Sequence, residues 1–333
     1  MNSRNKKLFI VLVVWMGKFP PSFKLWLLSA KTQPFDFVFI TDQDQQKDCQ
    51  GYKWHKITLE QLKFHISDLV GFPVRLSYPY KLCDYRPAYG EIFSDIIRDY
   101  QYWGYCDLDM IFGNTQFILD EVEQSYPDKI FQTGHLSFTK NTPDNNSLYK
   151  KSSFIDYKYI FSNNKTCQFD EWHGIGKIMK EYGKKVFHEA FYADIKPNSL
   201  YFAPENITSY KNQIFVYTNG NIIQYYLDNG FIKTRDLIYI HFQKRNIDFS
   251  ALNNFCNSYI FTSKNIITIT VSEISKSEIM KYNNLDYIHF IKRFWTRVKN
   301  KARLKKSIFD NYIKKINYLC LLHIGVSFSC FIT

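Results

Sequence analysis

Apolar residues run without a break through 8–16 (LFIVLVVWM), and residues 7–16 read as a buried first strand rich in Val, Ile and Phe. A second apolar run at 35–40 ends in Thr41-Asp42, and between the two Phe23, Trp26, Leu27 and Ala30 recur at helical spacing within 20–31. Strand, helix and strand with short connections is the opening of an α/β domain with a parallel sheet. Thr58 followed by Leu59-Glu60-Gln61 predicts a helix with Thr58 as N-cap and Gln61 as its capping-box partner, and Leu62, Ile66, Leu69 and Val70 fit one face of it. Within 80–100, Ala88, Ile92, Phe93, Ile96 and Ile97 keep a helical period.

Residues 103–106 form a short aromatic strand leading into Asp107-Leu108-Asp109; 110–112 are apolar again, Gly113-Asn114 is a turn, and Thr115 begins a helix. Strands are predicted at 129–131 and 136–139, and a polar, Asn-rich loop enclosing a helix at 141–165. Beyond Asp170 the pattern weakens. A helix at 175–182, a hairpin of 214–217 and 222–226 turning at Asn219-Gly220-Asn221, and a β-like segment at 238–242 are the remaining signals. The chain shows no internal repeat.

With 45% hydrophobic residues over 333 positions there is enough apolar material for one large domain or two small ones, which excludes a disordered or fibrous chain. No run approaches the eighteen or so apolar residues that a membrane span requires. Arg4, Lys6 and Lys7 before the first apolar run imitate a signal peptide, but Gly17-Lys18-Phe19-Pro20-Pro21 follows in place of a small-x-small cleavage site, so the strand reading is preferred. The seven cysteines (49, 83, 106, 167, 256, 320 and 330) are odd in number and include no CxxC pair, a pattern of reduced cytosolic thiols, not of a disulfide framework or zinc ribbon. The net charge of +12 is uneven: residues 282–315 hold ten Lys/Arg and two Asp/Glu, a net of +8. The rest of the chain is therefore nearly neutral, and no specific nucleic-acid partner is expected.

Two DxD pairs occur, and a chain of this length shows about one by chance. Asp42 and Asp44 lie in a Gln- and Lys-rich run, whereas Asp107 and Asp109 lie between aromatic and apolar segments. Residues two apart on an extended backbone point the same way, so both carboxylates of the second pair can face one ion. Carboxylates held together at a buried strand end repel unless a cation joins them, and a hard divalent ion with open positions suits diphosphate oxygens; an ordinary solvated strand end is the competing reading. Lys81, Asp84 and Arg86 recur among bulky residues, either as structural ion pairs at a helix start or as a surface that grips ribose and phosphate. His241 follows a short β-like segment with Lys244 three residues on; it is either a packed histidine or a further metal ligand beside a phosphate-binding lysine. Asp170 and Glu171 beside Trp172 are either a charged loop or an acceptor-side carboxylate with an aromatic platform for a sugar ring.

The blocks YKLCDYRPAYGEIF (80–93), YWGYCDLDMIFGN (102–114), GHLSF (134–138), FDEW (169–172) and YIHFQKR (239–245), following a Gly-Lys-x-Pro turn and a Thr-Asp strand end, resemble a bacterial family of GT-A-like glycosyltransferases carried as a domain of unknown function. That family is distantly similar to the DXD-type sugar transferases of surface glycans, and the resemblance spans residues 7–250. It implies an α/β, GT-A-like single domain with a Rossmann-like mixed or parallel central sheet flanked by helices; the shift in composition, with a boundary near 265–284, assigns 1–265 to that domain and 266–333 to a C-terminal basic helical region outside the resemblance. By the same resemblance, Asp107 and Asp109 hold Mn²⁺ (or Mg²⁺) against the sugar diphosphate, with His241 as third ligand. It places Thr41 and Asp42 near the base or ribose of a UDP-linked donor, Lys81, Asp84 and Arg86 near its ribose and sugar, and Asp170 and Glu171 toward a glycan or lipid-linked glycan acceptor. Lys244 would stabilise the departing diphosphate.

Residues 290–315 fit an amphipathic basic helix or helix pair, which is either a solvated element or a dock for an anionic membrane surface. The second reading places the protein in the cytoplasm, peripheral on the inner face of the cytoplasmic membrane. The competing functions are a nucleotidyltransferase or phosphohydrolase using the same carboxylates, and a non-catalytic membrane or nucleic-acid adaptor acting through the basic segment.

Overall fold

The computed structural model describes residues 6–283, apart from 189, 190, 198, 200, 244, 254–257, 271 and 272, together with Trp295. Lys244 and, apart from Trp295, the expected basic helix lie outside the described residues.

Strands β1 (Lys7–Trp15), β2 (Asp36–Thr41), β3 (Lys53–Lys56), β4 (Tyr100–Cys106), β6 (Lys129–Ile130), β7 (Leu136–Lys140) and β8 (Val186–Phe187) form a mixed seven-stranded sheet in the order β3-β2-β1-β4-β7-β6-β8. Its first four strands are mutually parallel, and β7 then runs antiparallel to β4. β5 (Met110–Phe112), β9 (Tyr192–Asp194) and β13 (Tyr239–His241) make a separate three-stranded sheet, ordered β5-β13-β9. β10 (Gln213–Thr218), β11 (Asn221–Asp228), β12 (Phe231–Leu237), β14 (Ser258–Phe261) and β15 (Ile266–Thr268) form a five-stranded antiparallel sheet. Helices α1 (Phe23–Ala30) and α2 (Leu59–Val70) cover the parallel strands. Among the described residues no helix is long and apolar enough to cross a membrane.

Several local signals act as expected. The Thr58–Gln61 capping box is formed in both directions, and Gly71 closes α2 in the left-handed region at φ 78°. Asn219 and Gly220 both take positive φ in the two-residue turn between Thr218 and Asn221, which is the twist a tight hairpin requires. Within the 265–284 stretch where the boundary is expected, the helix Lys276–Tyr282 packs on the fold: its Ile279 is fully buried against Ile214, Val216 and Ile260.

The helical period expected across 80–100 is realised differently. Pro79–Ala88 is a 3-10 helix, followed by the short helices Tyr89–Ile92 and Ser94–Ile97. Pro87 lacks the amide that an α-helix would use there, and it crowds the preceding turn. In a 3-10 helix residues three apart eclipse each other, so the segment has three distinct faces. Leu82, Tyr85 and Ala88 enter the core. Lys81 and Asp84 pair at 2.7 Å with no exposure of either side chain. Tyr80, Cys83, Arg86 and the following Tyr89 line a cleft of about 1040 Å³.

A second buried lysine is poorly supported. Among the described residues, the Lys129 amine on β6 donates only to Thr139 Oγ1, at 3.4 Å, and lies over the Tyr105 ring at 5.6 Å. Burial pushes its pKa down to about 7, against a smaller opposing pull from Asp170. Because the folded value lies below the unfolded one, the cost of burying this amine vanishes above pH ~10.5, grows as pH falls, and levels off below about 7. Lys129→Met is therefore expected to stabilise the fold by about 2 kcal/mol near neutral pH and by little at pH ~10. Urea unfolding at both pH values measures this, and an equal effect at the two would contradict it.

Candidate metal centre

The cleft is built where the seven-stranded and three-stranded sheets meet. β4 of the first ends at Cys106 and β5 of the second begins at Met110, so Asp107-Leu108-Asp109 is the bend that carries the chain from one sheet to the other. The two carboxylates thus converge through this bend, not through the alternation of a continuous strand. Leu108 is fully buried, and its carbonyl accepts the Ser22 hydroxyl at 3.1 Å, which anchors the bend from below.

Ladder register then brings in the partners. The Asp107 amide donates to the His135 carbonyl at 2.9 Å, just beyond the Cys106–Leu136 pair of β4 and β7. On the other sheet His241 lies opposite Met110 of β5 and Asp194 of β9, and the Phe242 amide donates to the Asp109 carbonyl at 2.8 Å. His241 Nε2 stands 3.4 Å from Asp109 Oδ1 and 3.7 Å from Asp107 Oδ2, while its Nδ1 is 2.8 Å from Asp194 Oδ1. Burial alone would lower the His241 pKa, but hydrogen bonds to Asp109 and Asp194 and the nearby carboxylate charges push it up to about 10. The imidazolium so favoured offsets part of the charge of these acids.

Arg86 is the second positive charge. Its Nη1 donates to Asp170 Oδ2 at 2.8 Å and to the Gly134 carbonyl, and its Nη2 donates to Asp107 Oδ1. Its guanidinium lies 5.0 Å from the centre of the Tyr105 ring. Asp170 and Glu171 are turned toward the cleft by a single π-helical turn, Trp172–Gly176, which a side chain at Gly174 would prevent because its Cβ would come within 2.3 Å of the Phe169 carbonyl. Burial raises Asp170 to about 6 in spite of Arg86, and burial together with the Asp170 charge raises Glu171 to about 7.

The structure therefore gathers Asp107, Asp109, His241, Arg86, Asp170 and Glu171 around one cleft. Of the other expected residues, Lys81, Asp84, Thr41 and Asp42 do not reach it. Lys81 and Asp84 are sealed off: Lys81 also donates to the Ile160 and Lys165 carbonyls, and Asp84 accepts the Cys167 and Phe169 amides. Their role is to tie the 3-10 helix to the 160–169 segment, so neither is available to a ribose. Thr41 is fully buried, Asp42 accepts the Gly17 amide at 2.8 Å, and neither lines the cleft.

Asp194 and His135 are the cleft residues that sequence reasoning missed. Asp107, Asp109 and His241 present two oxygens and one nitrogen within 4.8 Å of one another, and His135, Asp194 and His241 present one oxygen and two nitrogens within the same limit. Ring geometry separates these two groups. The His135 and His241 rings are stacked, with centroids 4.4 Å apart and planes 20° apart, so their in-plane lone pairs run side by side and do not converge on one ion. His135 also meets the Tyr239 hydroxyl through Nδ1 at 3.0 Å, and burial first, then the charges of His241 and Arg86, hold its pKa well below the usual histidine range. Asp107, Asp109 and His241 remain as a donor set suited to a divalent ion with open positions.

Fold and site together define a mixed α/β protein with a carboxylate–histidine cluster in a cleft between two sheets. The chain belongs to a family of unknown function, DUF6625, whose profile matches residues 11–270. That span encloses every cleft residue named above and ends before the basic segment. No curated protein matches the chain.

Proposed function

We propose that the protein is a metal-dependent glycosyltransferase of GT-A type, which transfers a sugar from a nucleotide-sugar, UDP-linked by preference, to a surface-polysaccharide, lipopolysaccharide or other glycan acceptor. The observation that carries this reading is the convergence of Asp107, Asp109 and His241 on the same cleft as two carboxylates of raised pKa. The donor set suits Mn²⁺: two hard oxygens and an imidazole nitrogen leave positions for diphosphate oxygens. A bound ion there would supply charge for the leaving diphosphate.

The chain's own residues have distinct tasks in this scheme. Asp107 and Asp109 hold the ion, with Asp107 kept in place by Arg86. Glu171, at about 7, is half ionised near neutral pH and is the better placed of the two acids to take the acceptor hydroxyl proton in an inverting reaction. Asp170 is tied to Arg86 and only 3% exposed, so its task is to hold the guanidinium and not to exchange protons with an acceptor.

The test is a melting-temperature panel with and without Mn²⁺ against UDP, GDP, CDP and ADP. A ligand that binds only the folded state, at a hundred times its dissociation constant, adds about 2.7 kcal/mol, a shift of several degrees. One nucleotide is expected to give a Mn²⁺-dependent shift. No shift with any of the four would remove the donor site.

A further inference from the structure

Asp194 stands behind the imidazole of His241, on the Nδ1 side, and its second oxygen, Oδ2, lies 4.0 Å from His135 Nε2. Its Oδ1 meets Nδ1 at 2.8 Å, and this bond holds the other ring nitrogen toward the two acids. Asp194 is itself held firmly. Its amide donates to Asn206 Oδ1 at 2.8 Å, the Asn206 side chain in turn donates to the Tyr192 carbonyl at 2.9 Å, and the β9–β13 ladder puts Asp194 directly beside His241. The stacked His135 ring fixes the remaining freedom, which is rotation of the imidazole plane. A carboxylate behind a histidine in this way fixes its tautomer and orientation and raises the basicity of the nitrogen that faces the ion.

We infer that Asp194 is a positioning residue that sets which cation the site takes. By keeping His241 Nε2 in the ligand set, it makes the site selective for a divalent ion that accepts nitrogen, Mn²⁺ over Mg²⁺. With the imidazole released, the site would be reduced to the two carboxylates of Asp107 and Asp109, an all-oxygen pair that discriminates little between the two ions. This inference rests on the metal reading of Asp107, Asp109 and His241 proposed above.

The experiment measures Mn²⁺ and Mg²⁺ dissociation constants separately, by titration of the metal alone into the full chain, for wild type, Asp194→Ala, Asp194→Asn and Asp109→Asn. Asp194→Ala is expected to weaken Mn²⁺ by about 10- to 100-fold and Mg²⁺ by much less, so that the preference collapses. Asp194→Asn keeps an acceptor for Nδ1 and is expected to recover part of the preference; it also serves as the informative variant if the alanine protein does not fold. The electron spin echo signal of bound Mn²⁺ should show imidazole nitrogen coupling in wild type and lose it in Asp194→Ala. Equal weakening of both ions, or an unchanged nitrogen signal, would overturn the inference and leave the metal site standing. If wild type binds neither ion in a manner sensitive to Asp109→Asn, the metal reading itself fails and the inference falls with it.

Discussion

Asp109→Asn is expected to abolish the Mn²⁺-dependent rise in melting temperature while leaving the metal-free protein close to wild type. The substitution preserves the backbone carbonyl that accepts the Phe242 amide, and the side chain keeps its size. What it removes is one anionic oxygen 3.4 Å from His241 Nε2, and with it a charge that a divalent ion needs. Transfer activity should fall by at least about 100-fold, because a metal contributes several kcal/mol of charge stabilisation in the transition state and each 1.36 kcal/mol is about tenfold. The mutant melted with Mn²⁺ and the nucleotide that shifts wild type, alongside a turnover assay, makes the comparison. A mutant that keeps both the shift and the turnover would mean that Asp107 and Asp109 are ordinary strand-end acids.

The second large effect belongs to Arg86→Met, which is expected to destabilise the fold by about 3–5 kcal/mol. Arg86 is 9% exposed, and its guanidinium joins Asp107 and Asp170 and caps the Gly134 carbonyl. Methionine fills much of the same space, so the loss is electrostatic: two carboxylates are left in a poorly solvated cleft beside Glu171. Millimolar Mn²⁺ should restore part of the stability if the ion takes over the missing positive charge. Urea unfolding of wild type and mutant, each with and without Mn²⁺, gives both numbers. A mutant as stable as wild type would show that water solvates these acids well enough without the arginine.

How much of this could be read beforehand depended on the range of the interactions. The strands around β1 and β2, the α2 cap and the Asn219-Gly220 hairpin announce themselves within a few residues, because period, caps and turn chemistry are local. Asp107, Asp109 and His241 were legible because their neighbours form long distinctive blocks. Asp194 was not. It ends a three-residue strand in a stretch with little pattern, and its importance comes entirely from the ladder that sets it beside His241, 47 residues away. His135 was hidden for the same reason, since only the β4–β7 pairing brings it to Asp107. The 80–88 segment is more instructive. Its charged residues read equally as ion pairs or as ligand contacts, and the fold divides them: Lys81 and Asp84 pair inside, and Arg86, paired with Asp107 and Asp170, faces the cleft. Pro87 and the spacing of Leu82, Tyr85 and Ala88 were the local clue to a tighter helix.

That tighter helix limits how the segment can change. Between Pro79 and Ala88 every third residue serves the same side, so core, buried ion pair and cleft are interleaved like three strands of a braid. Substitutions can act on one strand at a time, but a single-residue deletion would advance all three together, sending a core residue to the cleft and a buried charge to the core. Length in this stretch can therefore vary only in whole turns of three, and any relative that keeps the cleft should keep that count.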